Sequence, residues 1–334
     1  MYSDLAFIWA GLIAFAVLTY VVLDGFDLGL GILFPFAKSD HDRDLMMNSV
    51  APVWDGNETW LVLGGGGLFA VFPLAYAIVL PALYIPIIIM LLALVFRGVS
   101  FEYRWRTKRW KAVWDFAFFG GSLVAAFSQG IALGALVQGI EVVDRAYAGG
   151  WFDWLTPFSV LTGVAVVVGY ALLGATWLVL KTEGSLEIQM RRYAYVLGVA
   201  TLSLIGIVSV FTPFQDPVYF ERWFNLPGSL WTMSVPLIMI GLVWTFFRGL
   251  NDHRAASPFL SVLGWFIVSF VGIGISFYPM IVPPSLSIWE AAAPESSLAF
   301  ALVGAVILLP IILGYTAYSY WVFRGKMDPN EGYH

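Results

Sequence analysis

Four acidic side chains lie within stretches of the chain that are otherwise apolar enough to cross a bilayer. They are Asp24, Asp27, Asp55 and Glu58, and one base at a comparable position, Arg97, is available to balance them. A carboxylate at membrane depth is costly unless it is protonated, paired or hydrated, so such groups usually face a bundle interior, a partner or a water path. The pattern predicts a proton route.

The spacing of these acids supports that interpretation. Asp24 and Asp27 are three residues apart, as are Asp55 and Glu58, so each pair lies on one face of a helix. Burial and like-charge repulsion favour a protonated carboxyl, which lets one member of a pair hold and pass a proton near neutral pH. A structural alternative stays open: a protonated aspartic acid bonded to a backbone carbonyl, or an ion pair between Asp55 and Arg97, could simply fix helix packing.

The composition requires helices that position these groups within a membrane. Of 334 residues, 60% are hydrophobic and only 12% are charged, which no soluble single domain resembles. The chain has no Cys, so disulfides and thiolate metal sites are excluded. The first apolar segment lacks a basic leader and is predicted to be a retained helix.

A window of about 20 residues predicts an all-α integral membrane protein that forms a single membrane domain, 1–334, with nine transmembrane helices. The predicted spans are 5–35, 46–72, 75–100, 115–140, 158–181, 192–213, 228–250, 258–282 and 297–324.

The basic residues give the orientation. One set of ends and connections holds only Arg145 and Arg222, whereas the other holds the remaining 15 of the 17 Lys and Arg residues. By the positive-inside rule, the N-terminus is outside and the C-terminus is cytoplasmic. Asp27 and Asp55 then both lie about 12 to 14 Å from the cytoplasmic ends of their spans. Arg97 and Glu102 end the third span on that side, where they would form a cytoplasmic mouth.

Histidine placement limits the cofactors that these helices could hold. His41, His253 and His334 all fall in predicted connections or the tail, so no predicted span carries an imidazole. Haem iron therefore lacks its usual axial ligands here, and any redox cofactor is expected on a partner. Motifs for serine hydrolases, zinc proteases, P-loops and dinucleotide folds are missing as well.

Small residues predict where helices approach closely. Gly25 with Gly29, and Gly130 with Gly134, form small-xxx-small steps. The run at 64–67 is expected to pack in the same way, although it could instead border a cofactor or an unwound helix. The basic stretch at 104–111 is predicted to be a cytoplasmic anchor at the membrane surface.

Five segments in the same order closely resemble subunit II of the cytochrome bd-type quinol oxidases, cyanide-insensitive relatives included. They are LDGFDLGLG at 23–31, NSVAPVWDGNETWLVLGGGGLFAVFP at 48–73, VFRGVSFEYR at 95–104, FYPMIVPPSLSIWEAA at 277–292 and LLPIILGYTAYSYWVFRG at 308–325.

This resemblance implies a haem-free subunit built as two four-helix bundles, 1–140 and 141–282, with a peripheral ninth helix and tail at 283–334. Its partner, subunit I, would carry haem b and haem d, and the complex would oxidise quinol and reduce O2 to water in a bacterial inner membrane. A small single-helix accessory subunit, membrane lipids and a bound quinone are compatible additions, and nucleic acid is not expected.

The resemblance also assigns roles to residues. A cytoplasmic proton path maps onto Asp27, Asp55 and Arg97, and Asp24, Glu58 and Glu102 are expected to accompany it. Trp54, Asn57 and Trp60 would shape the channel or contact the partner. A self-contained proton-coupled transporter and a pure scaffold for the partner are the competing hypotheses, since the same acids could bind a driving ion or fix packing.

Overall fold

The computed structural model describes residues 4–327, and most of this part of the chain is helical. His334, which was predicted to lie in the tail, is outside the described residues. The first six helices are α1 Asp4–Leu33, α2 Asp40–Asn48, α3 Trp54–Val71, α4 Pro73–Ala82, α5 Tyr84–Arg106 and α6 Lys111–Gln138. The remaining eight are α7 Pro157–Lys181, α8 Gly184–Phe211, α9 Pro217–Phe224, α10 Ser229–Thr232, α11 Ser234–Asn251, α12 Ala256–Phe277, α13 Ile288–Ala291 and α14 Glu295–Val322.

Two short antiparallel hairpins close connections between helices. Strand β1, Val142–Val143, pairs with β2, Ala146–Tyr147, between α6 and α7. Strand β3, Met280–Val282, pairs with β4, Leu286–Ser287, between α12 and α13. The predicted eighth span, 258–282, therefore ends early, because its last residues belong to a hairpin.

Within residues 4–327, eight helical segments are long and apolar enough to cross a membrane. They contain α1, α5, α6, α7, α8, α11, α12 and α14. The helix α3 is not among them, because two acids, an asparagine and five glycines lower its hydropathy. An integral membrane protein is therefore supported, whereas the nine-span count stays a prediction.

The predicted second and third spans are each divided in two. A turn at 49–53 that contains Pro52 separates α2 from α3, and Pro73 begins α4 immediately after α3 ends. Leu83 then separates α4 from α5. Proline lacks the backbone N–H that an uninterrupted helix needs, which explains the first of these breaks. The junction at Pro73 falls between the two predicted spans. There, proline occupies the first turn of a helix, where a missing N–H costs nothing.

Helix α1 lies at the centre of the packing. It contacts α3, α6, α7, α12 and α14, and its residues from Asp24 to Leu33 are all buried. Gly29 makes the closest approach, because a Cβ at that position would collide with the backbone carbonyl of Tyr170 on α7. Gly130 and Gly134 on α6 likewise face the α7 backbone. Both predicted small-residue contacts are confirmed, and they hold the inner half of α1 inside the protein.

The segment after α14 returns to the end of α7. The ammonium group of Lys181, which is almost fully buried, donates hydrogen bonds to the carbonyl oxygens of Phe323 and Gly325. The backbone N–H of Met327 donates to the carbonyl of Lys181 at 2.8 Å. These bonds attach the last described residues to the body of the protein.

Candidate functional site

A buried guanidinium group lies between three carboxylates that come from two other helices. Nη1 of Arg97 on α5 is 2.8 Å from Oδ1 of Asp24 and 3.9 Å from Oε2 of Glu58. Its Nη2 is 3.8 Å from Oδ2 of Asp27. The side chains of Arg97, Asp24 and Asp27 have no exposed surface, and that of Glu58 is 26% exposed. We call these four residues the Arg97 cluster.

Helix packing sets the position of the guanidinium group. Gly121 on α6 faces the backbone of α5 at Arg97, and a Cβ at Gly121 would lie only 3.0 Å from the backbone nitrogen of Arg97. One turn after Arg97 on the same face of α5, the ring of Phe101 stacks on Trp54 with centroids 4.7 Å apart and planes 5° from parallel. The guanidinium carbon lies 6.0 Å from the centre of the Phe101 ring. Arg97 therefore has apolar walls and can satisfy its charge only towards the acids.

Asn57 links the cluster to two further helices. Its amide nitrogen donates to Oδ2 of Asp27 at 2.8 Å and lies 3.4 Å from the carbonyl of Leu23. Its amide oxygen accepts a hydrogen bond of 2.8 Å from the hydroxyl of Tyr320 on α14. Asn57 is predicted from the sequence to line a channel or a subunit contact, whereas nothing in the sequence distinguishes Tyr320. The order of residues along α14 gives no signal for it.

The Arg97 cluster carries more acids than bases. Three carboxylates against one guanidinium leave two excess negative charges when all are ionised, and uncompensated charge is costly in a buried site. The cluster is therefore expected to hold protons. Asp24 Oδ2, Asp27 Oδ1, Arg97 Nε and Arg97 Nη2 are also buried without hydrogen-bond partners among the described residues. Ordered water is the usual partner of such atoms, and water with carboxylates is a medium for proton transfer.

The other predicted site residues lie outside the cluster. Asp55 is on an exposed face of α3, one turn before Glu58, and makes no ion pair within residues 4–327. Glu102 is 67% exposed and pairs with Arg106 at 3.2 Å. Trp60 is buried, with its ring 5.9 Å from Phe15 on α1 in an edge-to-face contact. The ion pair between Asp55 and Arg97 that was suggested as the structural alternative is not formed. Arg97 contacts Asp24 and Glu58 in its place.

A second buried arginine was not recognised in the sequence. Arg104 has a fully buried side chain whose Nε is 2.5 Å from Asp115 and whose Nη1 is 2.6 Å from Asp44. Its guanidinium lies over the rings of Phe34 and Trp105. The stretch at 104–111 is thus only partly a surface anchor. Arg104 ties α5 to α2 and α6 at the end of the site that the charge pattern assigns to the cytoplasm.

The described residues do not fit a haem. His41 and His253 are both exposed, and the buried methionines, Met46, Met47 and Met190, are part of an apolar core. Within residues 4–327 there is also no group of three or more His, Cys, Asp or Glu side chains arranged to hold a metal ion.

Comparison with known proteins identifies the family. A family model described as cytochrome bd terminal oxidase subunit II matches residues 5–323. The chain belongs to this family. As a subunit II chain, it is part of an oxidoreductase complex of the respiratory membrane, and the resemblance stated from the sequence motifs is confirmed.

Relatives and a solved structure agree with this assignment. This subunit II chain is 33% identical to cytochrome bd-I ubiquinol oxidase subunit 2 of Escherichia coli K12, over 99% of the chain and 97% of the relative. It is 30% identical to cytochrome bd ubiquinol oxidase subunit 2 of Bacillus subtilis, with 97% of each covered. A chain in the structure of bd oxidase from Geobacillus thermodenitrificans has a TM-score of 0.79 at 16% identity, covering 96% of this chain and 99% of that one. That likeness supports the fold alone.

Proposed function

We propose that this chain is the haem-free subunit II of a quinol-oxidising terminal oxidase and that it supplies a cytoplasmic proton path to the oxygen site of subunit I. The Arg97 cluster carries the proposal. It places three acids around one buried cation, at a depth where every charge must be compensated. The relatives in Escherichia coli and Bacillus subtilis are named as ubiquinol oxidase subunits, which supports quinol as the electron donor of the complex.

The proposed topology keeps nine crossings, with α3 as the crossing that composition alone does not reveal. One acid of α3, Glu58, points towards Arg97, and the other, Asp55, lies on an exposed face. Both have a proposed role within the membrane, so these polar residues are compatible with α3 as a spanning helix. Two four-helix bundles, 1–140 and 141–282, with the segment 283–334 outside them, remain our assignment. The strong bias of Lys and Arg towards one set of connections supports an external N-terminus and a cytoplasmic C-terminus.

The proposed path runs from the cytoplasmic end of α5, beside Glu102, into the cluster. Glu58 is the partly exposed member, so it can take a proton from water that reaches it from the side of Glu102. Asp27, held by Asn57, exchanges that proton through water with Glu58. The guanidinium of Arg97 keeps both acids from becoming too basic to release it.

The proton would leave the chain through Asp55. This acid lies three residues from Glu58 on α3, and the two side chains interact electrostatically. Because Asp55 is exposed and has no ion pair within residues 4–327, we assign the α3 face that it shares with Thr59, Val62 and Gly66 to the contact with subunit I. Trp54 would border this contact, whereas the buried Trp60 would hold α3 against α1.

The rest of the assignment follows the family. Haem b and haem d would belong to subunit I, which is the principal partner in a heterodimer that this chain stabilises, and the complex would reside in the bacterial inner membrane. A single-helix accessory subunit, lipids and a bound quinone are compatible with the large exposed apolar surface of α14 and α11. The transporter alternative is not favoured, because the chain belongs to an oxidase family over nearly its whole length.

The test compares Asp27→Asn and Asp55→Asn in the purified complex. Both variants should assemble with a normal haem spectrum but reduce O2 at least about tenfold more slowly, while reduction of the haems by quinol is less affected, because only proton delivery is impaired. Asp252→Asn, a surface acid beside Arg248, is the matched control and should behave as wild type. If both variants turned over at the wild-type rate across pH 6 to 8, a range that spans neutral pH, the scaffold hypothesis would replace this proposal.

A further inference from the structure

The C-terminal end of α14 is fastened to the end of α7 by a buried lysine. Lys181, the last residue of α7, is 4% exposed, and its ammonium group donates hydrogen bonds to the backbone carbonyls of Phe323 and Gly325. In return, the backbone N–H of Met327 donates to the carbonyl oxygen of Lys181 at 2.8 Å. A buried ammonium is costly without acceptors, so these carbonyls hold the segment after α14 in place. We call these four residues the Lys181 junction.

A second lysine crosses the same junction from the opposite side. Nζ of Lys326, in the segment after α14, donates to the carbonyl oxygen of Thr182 at 2.9 Å. It also lies 3.2 Å from a carboxylate oxygen of Glu187 and 3.8 Å from one of Glu183, around the start of α8. Each side of the junction therefore supplies a lysine to carbonyl groups of the other side, which restrains the end of α14 at several points.

Helix α14 depends on contacts at its ends for its position. Among its residues, only Leu298 is buried. At this outer end, the carbonyl of Leu298 accepts a hydrogen bond of 3.0 Å from the indole of Trp9. In the middle, Leu309 and Ile312 are only partly buried against Trp60. Helices in a membrane are held together by close packing and hydrogen bonds, so a helix with so little packing is placed mainly by the bonds at its ends.

Tyr320 is the residue of α14 that reaches the proposed proton path. Its hydroxyl donates to Oδ1 of Asn57 at 2.8 Å. Its ring lies edge-on against Phe26 and Trp177, with centroids 6.4 and 6.3 Å away, and those two rings stack on each other at 4.3 Å. Trp177 precedes Lys181 by one turn of α7, and the Lys181 ammonium lies 5.0 Å from the centre of its ring. The same turn of α7 therefore supports the Tyr320 ring and fastens the backbone that follows it.

We propose that Lys181 is a positioning residue for the proton path. It holds the end of α14 so that Tyr320 stays bonded to Asn57, which in turn orients Asp27. The inference rests on the proposed function and deepens it.

The orientation of the Asn57 amide explains why Tyr320 matters. Asn57 can present either its oxygen or its nitrogen, and only the nitrogen can donate to Asp27. Because Tyr320 binds the amide oxygen, the amide nitrogen remains directed at Oδ2 of Asp27. If the end of α14 moved away, Asn57 would lose the contact that selects this orientation.

The experiment compares Lys181→Met, Tyr320→Phe and the double variant in the assembled, haem-loaded complex. Methionine keeps most of the length of the lysine side chain and its packing on Trp177 but cannot donate, and phenylalanine keeps the Tyr320 ring without its hydroxyl. Three quantities are measured: kcat of O2 reduction, KM for quinol, and the rate of tryptic cleavage after Arg324, which lies in the fastened segment. Lys38→Met, at an exposed lysine before α2, is the matched control.

Lys181→Met should speed cleavage after Arg324 and lower kcat about three- to tenfold, the factor that a neutral hydrogen bond such as that of Tyr320 contributes. KM for quinol should not change, because the loss lies in proton delivery and not in quinol binding. Tyr320→Phe should lower kcat by a similar factor, with cleavage at the wild-type rate. The double variant should be no slower than Lys181→Met alone, since both changes break one chain of contacts. Lys38→Met should match wild type in all three measurements.

Three results would overturn the inference. In the first, Lys181→Met keeps the wild-type kcat, whether or not cleavage is faster. In the second, kcat falls while cleavage stays at the wild-type rate, so that the segment after α14 has not moved. In the third, the losses of kcat multiply in the double variant, which would show that Lys181 acts independently of Tyr320. If Lys181→Met fails to assemble, Lys326→Met weakens the same junction from its surface and replaces it in these comparisons.

The two proposals fail separately. Normal turnover in Asp27→Asn and Asp55→Asn would refute the proton path itself. Lys181→Met at the wild-type rate beside a slow Asp27→Asn would refute only the role of Lys181.

Discussion

Asn57 of α3 donates a hydrogen bond of 2.8 Å to the carboxylate of Asp27 on α1. The same side chain accepts a hydrogen bond from Tyr320 of α14, so one amide fixes the relative positions of three helices. Asp27 is thereby held at the edge of the Arg97 cluster, with one oxygen bonded and the other without a hydrogen-bond partner in the described part of the chain. An acid with one free oxygen can exchange a proton without breaking the bond that holds it.

Asn57→Leu should lower turnover and loosen α14. The variant keeps the side-chain volume but removes the donor to Asp27 and the acceptor for Tyr320, and a hydrogen bond to a charged group contributes about 1.5 to 3 kcal/mol. We expect oxygen consumption at least about fivefold below wild type and faster proteolysis of α14. Asn251→Leu, at the exposed end of α11, is the control. Equal oxygen consumption by the Asn57 and Asn251 variants would contradict the prediction.

Arg97→Gln should destabilise the assembled complex by about 3 to 5 kcal/mol, because it leaves buried carboxylates without their cation. The melting temperature of the purified complex, followed by haem absorbance, measures this loss. Adding Asp24→Asn should recover part of it, since the double variant no longer buries the acid that lies closest to Arg97. A double variant less stable than Arg97→Gln alone would show that Asp24 is not the main partner.

Glycine substitutions should separate the packing of this chain from its contact with subunit I. Gly29→Leu should prevent folding of the subunit, because even a Cβ there collides with the backbone of α7. Gly66→Leu has open space in this chain, so the subunit should still fold and insert. Its co-purification with subunit I should nevertheless be lost, if the α3 face is the contact. Co-purification at wild-type yield would move the contact elsewhere.

Glu290 should make the start of α13 sensitive to acid. Its carboxylate accepts hydrogen bonds from the Ser287 hydroxyl at 2.6 Å and the Ser287 backbone N–H at 2.9 Å, and these bonds lower the pKa of Glu290. A lowered folded-state pKa stabilises the fold above the ordinary pKa of a glutamate, and this contribution disappears as the pH falls through the lower value.

The melting temperature of Glu290→Gln should therefore lie below that of wild type at neutral pH, and the difference should vanish as the pH falls through the lowered pKa of Glu290. Glu221→Gln, an exposed residue of α9, should show a difference that does not depend on pH in this way. A Glu290→Gln difference that stayed constant with pH would mean that the carboxylate bonds do not favour the ionised form.

The convergence of the acids and Arg97 could be predicted from the sequence, because positions along three spans give depth. Which acid faces the guanidinium could not be predicted. Asp55 and Glu58 are three residues apart, so both lie near one helix face, and a rotation of α3 by a fraction of a turn decides between them. Packing of Trp54 on Phe101 sets that rotation, and this contact joins residues 47 positions apart.

Arg104 and the hydrogen-bonded side chains of Tyr20, Gln129 and Tyr170 show the other limit of the sequence. Arg104 stands in a stretch of bases that is typical of a membrane surface, and its burial depends on Asp44, which is 60 residues away. Tyr20, Gln129 and Tyr170 belong to three different helices, and each by itself is an ordinary residue for a membrane span. Their contact depends on hydrogen bonds across the helix crossing, which spacing along one helix does not encode.

The contact between Lys181 and the carbonyls after α14 has a practical consequence. Truncation after Val322, or fusion of a reporter directly to the end of α14, would remove the carbonyl acceptors of the buried Lys181 ammonium group. Any handle for purification is better attached beyond Met327, whose amide also completes this junction. If a truncated product were degraded in the cell, the cause would be the loss of the hydrogen bonds between Lys181 and this segment, and not the loss of a catalytic group.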